Sequence, residues 1–90
     1  MAENPTITFS IKNEMERQMK TALADVYNAL LEKGYNPTDQ IVGYLLSEDP
    51  TYITNYNNAR SEMRKIDRDE LLKTMVQHYL GIIPHGGFKK

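Results

Sequence analysis

The chain is punctuated as a series of short helices, and that punctuation leaves little room for any other fold. Gly34 follows a long amphipathic stretch, Asn36-Pro37 opens a second, and Asp49-Pro50 repeats the same device. Asp67 then precedes a further apolar stripe that Gly81 closes. Asn and Asp accept backbone N–H bonds ahead of a first helical turn. Proline suits the first helical position, where no N–H bond is required of it. Glycine enters the left-handed conformation that ends a helix.

Between these marks the apolar residues recur with helical period. Met15, Met19, Ala22, Leu23, Val26, Tyr27 and Leu30 fall three and four apart, which predicts a helix from about Asn13 to Lys33, capped by Asn13. A second helix is predicted from Pro37 to Leu46 or Ser47. Its Ile41, Val42, Tyr44, Leu45 and Leu46 cover more than half of the circumference. One neighbouring helix cannot cover so much, so these residues are read as core and dimer seam. Gly43 inside that helix costs about 1 kcal/mol relative to Ala and points to a close backbone approach. Asp49-Pro50 predicts a single turn through Ile53. Asn57 or Asn58 is read as the cap of a helix with Ala59, Met63 and Ile66 inward. Asp67 with Glu70 three residues on resembles a capping box, starting a helix near Arg68 whose stripe is Leu71, Leu72, Met75, Val76, Tyr79 and Leu80.

The two ends read differently. Pro5 and the alternation Thr6-Ile7-Thr8-Phe9 favour extended backbone, because β-branched residues lose side-chain freedom in helices. Three parts follow: a flexible segment over residues 1–12 displaying two hydroxyls, a helical dimerisation and regulatory domain over 13–81, and a disordered tail over 82–90. The fold class is all-α, a compact bundle of about four to five helices. Ninety residues make one small domain that buries only roughly 60% of its unfolded surface, so self-association would add to a marginal core.

Composition removes several functions. There is no cysteine, hence no disulfide, thiolate nucleophile or cysteine zinc site. His78 and His85 are the only histidines and no acidic cluster stands near either at metal-binding spacing, so no metal and no cofactor are expected. The glycines match no phosphate loop or dinucleotide fingerprint, and the serines have no recognisable base, so the chain is read as a non-enzyme. No apolar run approaches a membrane span and no signal pattern opens the chain, which places it in the cytoplasm without membrane insertion. Eleven Lys and Arg against twelve Asp and Glu give a net charge of −1, unlike a dedicated nucleic-acid binder.

One surface feature stands out against this neutral balance. Arg60, Arg64 and Arg68 are spaced by four, with Lys65 to one side, and form a stripe along a helical path. Such a row is either a solvated charged face paired with Glu62, Asp67 or Glu70, or a partner-binding patch, since guanidinium groups present rigid bidentate donors to carboxylate and phosphate. The alternative function is a helix-turn-helix-like nucleic-acid-binding regulator over residues 14–46. Its second helix, however, offers no Arg or Lys and is apolar where base recognition needs polar reach.

Gly34-Tyr-Asn-Pro37, Gln40-Ile-Val-Gly-Tyr-Leu-Leu-Ser47, Asp49-Pro-Thr-Tyr-Ile53, Asn58-Ala-Arg60 and Arg68-Asp-Glu70 together resemble the IreB/ReoM family of Gram-positive bacteria. The likeness covers about residues 20–80, and Thr6-Ile-Thr-Phe9 is similar to that family's Thr-apolar-X-Phe motif. The resemblance implies a small cytoplasmic all-helical homodimer without enzymatic activity. It implies phosphorylation on Thr6 by a PASTA-domain Ser/Thr kinase, reversed by a partner phosphatase. It further implies that the unphosphorylated form promotes ClpCP-dependent degradation of the first committed enzyme of peptidoglycan synthesis, with consequences for cell-wall synthesis and antibiotic tolerance. The family's functional basic residues correspond to Arg60, Arg64, Lys65 and Arg68. Four places depart from the family pattern, one being Ser10-Ile-Lys-Asn13 where the family carries an acidic stretch. Glu48 stands where a glycine is usual, Thr54-Asn55 replaces Pro-Arg, and Thr8 adds a second candidate acceptor.

Overall fold

A computed structural model of the chain describes the backbone over residues 5–83 and 87–88, and side chains over residues 13–82. Four α-helices form the fold: α1 (Pro5–Glu32), α2 (Pro37–Ser47), α3 (Ala59–Lys65) and α4 (Arg68–Leu80). Two single 3-10 turns, Pro50–Tyr52 and Tyr56–Asn58, carry the chain from α2 to α3. The fold is all-helical apart from a minimal antiparallel pairing in which Ile82 faces Phe88 and Ile83 faces Gly87. Of the tail expected over 82–90, residues 84–86, 89 and 90 lie outside the described residues.

The stop and start signals act where they are expected. Gly34 adopts φ 87°, and the Gly34 and Tyr35 N–H groups close back on the carbonyls of Leu31 and Leu30. The Asn36 side chain accepts from the Asp39 N–H at 3.1 Å, with Pro37 behind it at the first position. Asp49 accepts from the Thr51 N–H at 3.0 Å and opens the turn before Ile53. Asp67 accepts from the N–H groups of Asp69 and Glu70, and Gly81 ends α4 at φ 71°.

Two boundaries differ from expectation. α1 begins at Pro5, not Asn13, so residues 5–12 continue the helix and are not extended. Once the amphipathic stretch has nucleated, each added residue gains a hydrogen bond. Thr and Ile oppose this by less than about 0.7 kcal/mol each, so the helix runs back to the proline that suits its first position. At the other boundary, Asn58 takes the expected cap position of α3 but makes no side-chain cap bond. Asn57 and Asn58 instead turn the chain through successive left-handed residues, φ 52° and 61°, a conformation that Asn tolerates better than most residues.

The core lies where α1, α2 and α3 meet. Val26, Leu30, Ile53 and Met63 are fully enclosed, and Ala29, Ile41, Leu45, Ala59 and Leu71 complete the cluster. Gly43 explains itself at this seam: a Cβ there would stand 2.5 Å from the Tyr52 ring. The Gln40 amide donates to the Tyr52 carbonyl at 2.9 Å and fixes the same contact from the other side. At the far end Lys33 lies over the Tyr56 ring, 5.0 Å from its centroid. A side-chain hydrogen bond with Glu32, and then its charge, raises the Tyr56 phenol above its ordinary value.

Candidate functional site

The three arginines do not share one helix. α3 ends at Lys65, Ile66 is extended (φ −77°, ψ 131°), and Arg68 opens α4. Arg60 and Arg64 stand one turn apart on α3, and Arg60 and Arg68 reach the same stretch of chain. Arg60 Nε donates to the Ile53 carbonyl at 2.9 Å. Arg68 donates through Nη1 to the Leu45 carbonyl at 2.7 Å and through Nη2 to Glu48 Oε2 at 2.6 Å. The link from the end of α2 through the Asp49 turn is thus held at both ends by guanidinium groups.

The Leu45 carbonyl belongs to the last turn of α2, where carbonyls lack intrahelical partners and carry partial negative charge. A guanidinium there caps the helix from outside. Glu48 follows in the left-handed conformation at φ 60°, with its N–H on the Tyr44 carbonyl at 2.7 Å. For a residue with a Cβ that conformation costs roughly 1–2 kcal/mol, and the ion pair to Arg68 offsets part of it. Asp49 beside it is held below the usual carboxylate range, chiefly by the Thr51 hydroxyl, then by the Thr51 N–H, with a smaller contribution from Arg60.

Arg60 and Arg68 are half-buried, whereas Arg64 and Lys65 between them are exposed. Among the described residues neither Arg64 nor Lys65 has an ion-pair partner; the pairs present are Arg17–Glu14, Arg68–Glu48 and Lys73–Glu70. The four basic residues therefore divide into two that tie the fold together and two that face solvent. Lys65 also borders a groove of about 470 Å³ in which Met15 and Met19 of α1 lie near Glu62, Ile66 and Glu70.

The residues read as core and dimer seam divide as well. Ile41 and Leu45 are buried within the protomer's own core and Tyr44 packs against it, while Val42 and Leu46 (82% exposed) face outward. The larger uncovered apolar surface lies on α4. Of its stripe only Leu71 is buried; Leu72, Met75, Val76 (55%), Tyr79 (91%) and Leu80 are exposed. Helical period finds such a stripe in the sequence but cannot say whether this chain covers it. A second groove of about 560 Å³ runs between α1 and α4, bordered by Met19, Leu23, Met75 and His78.

The side chains of Thr6 and Thr8, and all of His85, lie outside the described residues. Among the described residues no group of His, Cys, Asp or Glu is placed to hold a metal ion, and no helix is long and apolar enough to cross a membrane. α2 presents Asp39, Val42 and Leu46 to solvent, which gives no support to a base-reading helix.

These features define a small all-helical protein whose distinctive parts are surfaces: a basic flank and an uncovered apolar helix face. Residues 4–81 match the family IreB, described as the IreB regulatory phosphoprotein. The chain is also 55% identical over 80 residues to the UPF0297 protein of Ruminiclostridium cellulolyticum, a match spanning 89% of this chain and 91% of that relative. The chain belongs to the IreB family, and its role is regulatory.

Proposed function

We propose that the protein is a phosphorylation-switched, non-enzymatic adaptor that works in the cytoplasm as a homodimer. The family's description as a regulatory phosphoprotein carries this reading. In its unmodified form it links the ClpCP protease to the first committed enzyme of peptidoglycan synthesis and promotes that enzyme's turnover. A PASTA-domain Ser/Thr kinase modifies Thr6, its cognate phosphatase restores it, and Thr8 is a second acceptor. The exposed Arg64 and Lys65 are the first contacts for an acidic segment of a partner, and the apolar face of α4 is the dimer seam.

The geometry of α1 supports a particular action for the phosphate. Thr6 is the second residue of α1, and the first turn of that helix has no acidic residue. Phosphorylation adds about −1.5 to −2 charges where the helix dipole favours them, so it strengthens the helix start. Along the helix Thr6 stands eight residues before Glu14, about 12 Å beyond the groove that Glu14 shares with Lys65. At that distance the phosphate acts on an acidic partner docking along α1 by repulsion, and not by covering its own protomer's arginines.

Affinity purification of unmodified and Thr6-phosphorylated protein, with the retained partners identified, tests the reading. The expected result is protease or peptidoglycan enzyme on the unmodified form only. Identical partner sets for the two forms, or kinase modification confined to sites other than Thr6 and Thr8, would overturn it.

A further inference from the structure

Glu48 is an unusual residue to find paired with Arg68. Its carboxylate sits at the end of α2, 2.6 Å from Arg68 Nη2, yet the side chain is 67% exposed. Its backbone is left-handed, a conformation a glycine would adopt without strain. Removing the Glu48 side chain would leave Arg68 still tied through Nη1 to the Leu45 carbonyl. It would also free the Nη2 edge of the guanidinium, three and four residues along the chain from Lys65 and Arg64. Glu48 thus takes the half of the fork that the Leu45 carbonyl leaves free.

Resting on the reading of this flank as a surface for an acidic partner, we propose that Glu48 is an intramolecular competitor for that partner's carboxylates. The pair is an autoinhibitory contact. An acidic segment engages Arg64 and Lys65 first and recruits Arg68 only by displacing Glu48, carboxylate for carboxylate. Because the Glu48 side chain is 67% exposed, its release costs little, and the contact adjusts affinity without closing the site. Residue 48 then acts as a specificity-determining position: an acid there raises the threshold for a weakly acidic partner, and a neutral residue lowers it.

A synthetic hexaglutamate peptide titrated into the full chain at low ionic strength tests this, with the arginine Nε–Hε NMR signals as the readout. For Glu48→Gln the concentration that half-shifts the Arg68 signal should fall roughly two- to fivefold relative to the unsubstituted protein. Glu48→Gly, which also relieves the left-handed strain, should behave the same way. Glu62→Gln removes an equal charge from α3 and should leave the Arg68 response unchanged. Equal half-shift concentrations with and without Glu48, or equal tightening by Glu62→Gln, would overturn the competitor role while leaving the basic flank intact. No response from Arg60, Arg64 or Arg68 in any of these proteins would overturn the flank reading together with it.

Discussion

α3 and α4 are consecutive helices separated by two residues, and they do opposite things with their apolar side chains. α3 has only seven residues, yet Ala59 and Met63 are sealed into the core. α4 is nearly twice as long and encloses one residue, Leu71, leaving Val76 and Tyr79 to solvent. The difference separates two tasks. The protomer's stability resides in the meeting of α1, α2 and α3. α4 is anchored at its start by the Asp67 cap, the Arg68 contacts and Leu71, and from there it offers its stripe outward. An exposed apolar face of that extent on a small chain marks an interaction surface.

The contrast can be broken most severely from the core side. Met63→Ala removes a side chain that is 1% exposed, and truncations of this kind cost about 2–5 kcal/mol. That is a large share of the 5–15 kcal/mol typical of a whole domain, so urea unfolding should show the midpoint collapse. A loss under 1 kcal/mol, on any reading of the core, would mean that α3 is not its keystone. From the other side, Val76→Asp should change protomer stability by no more than about 0.5 kcal/mol. It should weaken self-association by roughly tenfold, about 1.4 kcal/mol, as read by sedimentation equilibrium. Unchanged association would remove α4 as the seam and return attention to Val42 and Leu46.

The smallest effect concerns the link between the two regions. The Asp49 carboxyl has a folded pKa below its ordinary value of 3.8. The stability it contributes is therefore present above that pH and is lost as pH falls through the folded value. Asp49→Asn should flatten the acid end of the stability profile, below about pH 4, and leave its neutral part with a small uniform loss. A profile parallel to that of the unsubstituted protein would mean that the Thr51 bonds do not distinguish the charged form.

Much of the architecture was legible from local chemistry. Asn36, Asp49 and Asp67 bond to N–H groups two or three residues away, so their role is written in adjacent letters. Gly43 was legible as a close approach, though not Tyr52 as the neighbour. What could not be read depends on distance along the chain or on an absence. Arg68 finds its acceptor 23 residues back, at Leu45, so its spacing from Arg64 gave no hint that it is already engaged. The outward turn of α4 depends on no other described residue lying over its stripe, which no periodicity encodes. The start of α1 at Pro5 is not legible in residue preferences of a few tenths of a kcal/mol, because a helix already running behind them outweighs them.

The meeting of Gly43 and Tyr52 has a consequence for how this sequence can change over generations. With a Cβ at position 43 only 2.5 Å from the ring, no side chain fits there while the tyrosine stays where it is. A smaller residue at position 52 alone would leave a hollow against α2. A change at either position is expected to depend on the residue at the other. Positions 43 and 52 therefore constrain one another, although eight residues of chain lie between them.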